Sequence, residues 1–149
     1  MRIAVLNGPN LNLLGIREPE IYGTTTLEQI EAHLERVGQE LGVTLLFSQF
    51  NEEGRLLEAI HNCRGVVAGA LVNAGAWTHT SLALRDALVG VQLPYVEVHL
   101  SNIYAREPER RISHLAPGAL AVVAGFGPDS YELGLRGLVR ALGGGDAAV

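Results

Sequence analysis

Apolar positions along the chain follow two periods in turn. Short runs rich in Val, Ile, Leu and Ala occupy residues 3–6, 43–50, 66–72, 95–100 and 120–124, the lengths of buried strands. Between them apolar residues recur at steps of three and four. Leu27, Ile30, Leu34, Val37 and Leu41 make one such stripe, opened by Thr25 and Glu28 at capping-box spacing and followed by Gly42. Residues 53–64, stopped by Gly65, then 80–89 and 131–142 give three more helices. Asn7-Gly8-Pro9 closes the first strand with a turn signal, and Gly125-Phe126-Gly127 reads as a tight exit after the fifth. The polar stretch 101–117 has room for only a short helical turn. The Gly-rich end, 143–149, is expected to fray.

Strands apolar on both faces and alternating with helices predict a doubly wound α/β fold, a parallel sheet with helices on both sides. At 149 residues the chain has room for one such domain, spanning 1–149. Its 48% hydrophobic and 18% charged residues suit a packed core and exclude disorder.

Charge and composition then remove several chemistries. The net charge is −5 and no basic cluster exceeds Arg110-Arg111, so nucleic acid is not an expected partner. All 11 basic residues are Arg. Without lysine there is no side-chain Schiff base, no pyridoxal phosphate anchor and no P-loop. Cys63 is the single cysteine, which rules out an intrachain disulfide or a cysteine zinc cluster and suits a reducing compartment. Nothing resembles a signal peptide or a membrane span, so the expected location is cytoplasmic, with no membrane partner.

In a doubly wound sheet, ligands bind beyond the carboxyl ends of the strands. Polar residues gather at those ends. Asn7, Asn10 and Asn12 follow the first strand; Asn73, Thr78 and His79 follow the third. Glu97 and His99 are two apart on the fourth strand, hence on one face, with Ser101 and Asn102 next. Glu97 needs a buried partner, either His99 or one of the arginines between 106 and 111. The segment 14–23, LGIREPEIYG, is punctuated by Gly15, Pro19 and Gly23 and resembles a lid. It carries Arg17 and Tyr22, a guanidinium able to favour the phenolate of a tyrosine base. His33 and His61 lie on amphipathic helices as solvated or partly packed residues. Tyr95 and Tyr131 stand where packing explains them, and His114 has no assigned role.

Three blocks, NGPNLNLLGIREPEIYG (7–23), NAGAWTHTSLALRDAL (73–88) and VEVHLSNIYAREPERR (96–111), resemble the signature segments of the type II 3-dehydroquinate dehydratases, the type II dehydroquinases of the shikimate pathway. The match runs in register from residue 2 to about 142. It implies a flavodoxin-like sheet of order 2-1-3-4-5, a homododecamer built as a tetramer of trimers, and trans dehydration of 3-dehydroquinate to 3-dehydroshikimate without a cofactor or metal, on the route to chorismate and the aromatic amino acids. By the motif match Tyr22 is the base, Arg17 keeps it ionised and closes the lid, and Asn10 helps hold the water that stabilises the enolate. His99 matches the general acid, positioned by Asn73, with Glu97 its neighbour on the strand. Leu100 and Ser101 match the carboxylate cradle. His79 and Arg110 match residues on the ring hydroxyls, and Asp86 one that reaches in from an adjacent subunit. Phe50, Glu52, Ala74, Trp77, Tyr104 and Glu109 depart from the family pattern; none is at a position matched to catalysis.

Two other readings stay open on the residues alone. His79, Glu97 and His99 form the donor set of a two-histidine, one-carboxylate metal site, as in a metal-assisted hydro-lyase or hydrolase. The fold by itself also suits a flavin or nucleotide binding module.

Overall fold

The computed structural model describes residues 1–16 and 18–143, without the side chain of Tyr22. Arg17 therefore lies outside the described residues, and so does the end expected to fray, from residue 144 on. Strands β1 (Arg2–Asn7), β2 (Thr44–Gln49), β3 (Gly69–Asn73), β4 (Tyr95–His99) and β5 (Ala121–Ala124) form one sheet ordered β2-β1-β3-β4-β5, with all neighbours parallel. This is the order the resemblance implied. The helices are α1 (Pro19–Tyr22), α2 (Leu27–Leu41), α3 (Glu53–Asn62), α4 (Leu82–Gly90) and α5 (Asp129–Gly143).

Alternation along the strands assigns each side chain to a layer. Ile3 and Val5 of β1, Leu71 of β3 and Val96 and Val98 of β4 pack with Ile30 and Leu34 of α2 and with Leu135 and Leu138 of α5. Ala4, Leu6, Ala70, Val72 and Tyr95 pack on the opposite face against Leu56 and Ile60 of α3 and Leu84 and Leu88 of α4. The sheet is thus doubly wound, α2 and α5 on one side and α3 and α4 on the other. Only the three inner strands are buried nearly throughout. The expectation of two apolar, covered faces fails at the edges, where Leu46 on β2 and Val122 on β5 are exposed.

Local chemistry moves several boundaries. The capping box of α2 is Thr26 with Gln29, not Thr25 with Glu28: Thr26 accepts from the Gln29 N–H while the Gln29 side chain accepts from the Thr26 N–H. Strand β3 begins three residues later than expected, because the N–H groups of Val66 and Val67 turn back to the Cys63 carbonyl. It also runs one residue further, so Asn73 belongs to the strand. A 3-10 turn, Gly75–His79, precedes α4, whose N-cap is Ser81 accepting from the Leu84 N–H. The stretch expected to hold one helical turn holds three, Ile103–Ala105, Pro108–Arg110 and Ala116–Gly118.

Candidate active site

The exits of β1 and β3 lie side by side, with Asn7 opposite Asn73 in the register. The Gly8 N–H donates to the Asn73 carbonyl at 2.8 Å. A Cβ on Gly8 would stand 2.4 Å from the Ala74 carbonyl oxygen, so no larger residue lets these two loops meet. Their contact at the reversal of strand order forms one wall of a cleft. Asn10 lines it in the left-handed region, φ +68°, its N–H held by Asn51 Oδ1 at 2.9 Å.

Behind that wall is a buried polar chain. The Gly75 N–H can only donate, so Asn73 presents Oδ1 to it, at 3.2 Å, and Nδ2 to the other side. Nδ2 donates to the Tyr131 hydroxyl at 2.8 Å, and the hydroxyl donates to Asn7 Oδ1 at 2.6 Å. One backbone donor thereby orders three side chains. Tyr131 is fully buried, and burial pushes its hydroxyl above the ordinary tyrosine range, so it stays protonated. The packing role expected of Tyr131 is therefore incomplete, since through it α5 delivers a hydrogen-bonding group to the sheet's rim.

The opposite face of the rim carries the ionisable groups. Tyr95, Glu97 and His99 alternate onto it, and Glu97 is fully buried. Glu97 Oε2 accepts from His99 Nε2 at 3.0 Å, which bears out His99 as its partner. The second partner is a hydroxyl rather than one of the arginines: Ser113 Oγ donates to Glu97 Oε1. Ser113 Oγ also accepts from the N–H groups of Leu115 and Ala116, at 3.1 and 3.0 Å. His79, from the turn after β3, gives its Nδ1–H to the Ile112 carbonyl at 2.7 Å and lies 6.4 Å from the His99 ring, nearly parallel to it. Burial, above all, lowers the His79 pKa from the ordinary histidine value, and the neighbouring His99 and Arg110 lower it further. Burial and then the charge of Glu97 push Tyr95 up to about 12.

Asn10, Asn73, His79, His99, Leu100, Ser101 and Arg110 all line this one cleft, and Arg106 joins them. Glu97 lies directly behind His99. Asp86 does not come near: it is exposed on α4 beside Arg85. Tyr22 ends α1, in a segment flanked by Gly15 at φ +92° and Gly23 at φ +76°. The donor set of the metal reading is not assembled, since both Glu97 oxygens serve Ser113 and His99. Among the described residues no three His, Cys, Asp or Glu side chains converge. Sequence reasoning missed Ser113 and Tyr131. Spacing carries no trace of either, because Ser113 acts on Glu97 across 16 residues of chain and Tyr131 on Asn73 and Asn7 across 58 and 124.

Residues 1–139 match the family described as Dehydroquinase class II. The chain belongs to the class II dehydroquinases. Among curated relatives, 3-dehydroquinate dehydratase of Gemmatimonas aurantiaca is 63% identical over 142 residues, 95% of this chain and 93% of that protein. The Synechococcus sp. strain WH7803 protein of the same name is 56% identical over 99% of this chain and all of that one. Crystal structures of type II dehydroquinases from Propionibacterium acnes and Butyrivibrio crossotus superpose with TM-scores of 0.89 and 0.90 at 42% and 36% identity, covering 93% of this chain and 96% and 97% of theirs. As a class II dehydroquinase, the chain has the sheet order that its sequence blocks implied.

Proposed function

We propose that this dehydroquinase removes water from 3-dehydroquinate to give 3-dehydroshikimate, a step of the shikimate pathway toward the aromatic amino acids, by trans elimination through an enolate. Tyr22 takes the proton from the carbon beside the ketone, and the electron pair moves onto the ketone oxygen. A water held with the help of Asn10 stabilises that oxyanion. The enolate then collapses, the C–O bond of the hydroxyl two carbons from the ketone breaks, and His99 supplies the proton with which it leaves as water. Arg17 favours the phenolate of Tyr22. Leu100 and Ser101 hold the substrate carboxylate, and Asn73, His79 and Arg110 hold the ring hydroxyls. No cofactor or metal takes part.

The observation that carries this reading is the His99–Glu97 pair at the back of a cleft that also presents two amides, a second histidine and two arginines. A protonated His99 hydrogen-bonded to a buried carboxylate can give up its proton and remain satisfied, which is what an acid for a departing hydroxyl needs. We further read the assembly as a homododecamer, a tetramer of trimers, working in the cytoplasm. Exposed Leu120 and Val122 at the β5 edge and Leu133 on α5 offer an apolar surface for it, and Asp86, exposed on α4, is free to reach a neighbour.

The test is the rise in ultraviolet absorbance of the conjugated enone when 3-dehydroquinate is added to purified protein, with and without a chelator. The expected outcome is equal turnover in both. Turnover abolished by the chelator and restored by a divalent metal would overturn the cofactor-free route, and absence of product would overturn the reading as a whole.

A further inference from the structure

Residues 112–116, near the end of the polar stretch, cross the back of the cleft as a strap joined to the Gly75–His79 turn and to β4. The Ile112 carbonyl holds His79, the His114 N–H donates to the Thr78 carbonyl at 2.9 Å, and the Leu115 carbonyl accepts from the Tyr95 hydroxyl. Ser113, between these fixed points, is the residue that touches Glu97. Its hydroxyl has one proton and two lone pairs. The Leu115 and Ala116 N–H groups take the lone pairs, so the proton has a single destination, Glu97 Oε1. Oε1 is then an acceptor, and Oε2 remains the acceptor for His99 Nε2–H. The geometry turns Nε2 toward Glu97, and with Ser113 donating to an ionised Glu97 the hydrogen sits on Nε2, which leaves Nδ1 as the atom that exchanges a proton in the cleft.

We propose that Ser113 is a positioning residue for the elimination, holding Glu97 in the rotamer that fixes the His99 tautomer and ring. This rests on His99 as the proposed acid. Without the hydroxyl, a fully buried carboxylate loses one of its two partners and its reason to stay in place, and the imidazole loses the anchor on its far side. Nothing in the spacing of residues hints at this function, because Ser113 sits outside the cleft and outside the three family-like blocks.

The experiment compares Ser113→Ala, Ser113→Cys and Ser113→Thr, each alone and the alanine form in a His99→Ala background. Ser113→Ala is expected to lower kcat about tenfold with KM within about twofold, Ser113→Cys to do nearly the same because a thiol is a weak donor, and Ser113→Thr to restore most of the rate. In the His99→Ala background the Ser113 change should add nothing, since it acts through the missing ring. Nitrogen-15 spectra of the imidazoles should show one His99 tautomer in the parent and a mixture in Ser113→Ala. Should the alanine form not fold, the cysteine form and its spectrum carry the same comparison. An unchanged kcat in both, an additive loss with His99→Ala, or an unaltered His99 spectrum would each overturn the role of Ser113. Full activity of His99→Ala would instead overturn the acid assignment, and the spectrum alone would then decide whether Ser113 positions the ring.

Discussion

Asn7, Asn73, Glu97 and His99 stand on strands, are at most 5% exposed, and are each held by side-chain hydrogen bonds to other residues of the sheet or of α5. Tyr22 is carried differently. It ends a four-residue helix on an arm, 14–23, in which residues 18–21 and 23 are exposed, and whose described backbone donors reach only one another or the preceding turn: Leu14 to Leu11, Ile16 to Leu13, Ile21 to Glu18 and Gly23 to Pro19. On the proposed mechanism the contrast separates two needs of one reaction. Binding groups and an acid work best where the fold has fixed them before substrate arrives. A base that must also cover the substrate and shut out water belongs on a part that can move.

The largest effect should come from the arm. Tyr22→Phe keeps the ring and removes the hydroxyl, and on the proposed mechanism kcat falls at least about 10² to 10⁴-fold. Calorimetric titration with 3-dehydroquinate should still show binding, because the groups on the rim are intact. Near-parental turnover would move the base to the rim, on His79 or His99, and the division between the two regions would collapse.

A subtler perturbation of the arm is Gly23→Ala. Gly23 has φ +76° and ψ −172°, a region open essentially to glycine alone, and nothing lies within 4 Å of where a Cβ would be. The strain is then purely in the backbone, on the order of 1–3 kcal/mol. If the arm closes over substrate from this point, kcat and KM change together by about tenfold while the melting temperature changes little. A lower melting temperature with unchanged kinetics would make Gly23 a structural joint instead.

The rim was far more legible in the sequence than what holds it. Glu97 and His99 two apart on a strand, and polar residues after three strands, follow from period-2 alternation and the rule for doubly wound sheets. The sheet order came with the sequence blocks, not with periodicity. What escaped was contact between distant segments. Ser113 looked like one more polar residue in a loop, and Tyr131 like the first apolar position of a helix, because the partner that gives each its function is set only when α5 and the 112–116 strap pack onto the sheet. Edge exposure at Leu46 and Val122 escaped for a related reason: hydrophobicity marks a strand and says nothing of whether a helix covers it.

Next in size is a change behind the rim. Tyr131→Phe leaves Asn7 Oδ1 and Asn73 Nδ2 without their shared partner in a buried site, where Asn7 Nδ2 already has no partner among the described residues. The loss should be about 1–3 kcal/mol, a drop in melting temperature of about 2–4 °C for each kcal/mol at this chain length. KM should rise as Asn73 loses its fixed orientation. Unchanged stability and KM would show that the amides order themselves, and that the rigidity ascribed to this half of the site lies in the strands alone.

The smallest effect belongs to the anchor between the two regions. The arm feeds into α2, and a surface clamp ties α2 to α5: His33 Nε2 pairs with Glu132 Oε2, while Arg136 bridges Glu132 Oε1 at 3.0 Å and Glu40 Oε2 at 2.8 Å. His33, expected to be solvated or partly packed, thus makes a specific hydrogen bond to Glu132. The hydrogen bond from His33, and after it that from Arg136, lowers the Glu132 pKa from its ordinary 4.5. A carboxylate lowered in the folded state adds stability above its unfolded value and loses it as pH falls through the folded one. Glu132→Ala should therefore cost something at pH 7 and progressively less below about pH 4.5. Water reaches all three partners, so the cost is at most about 1 kcal/mol, or about 2–4 °C, and smaller still at high salt. Turnover should not change, since Leu27, Ile30, Leu34 and Val37 already seat α2 on the sheet. A fall in kcat with this variant would mean that the position of the arm depends on the clamp, and that the moving part of the site extends into α2.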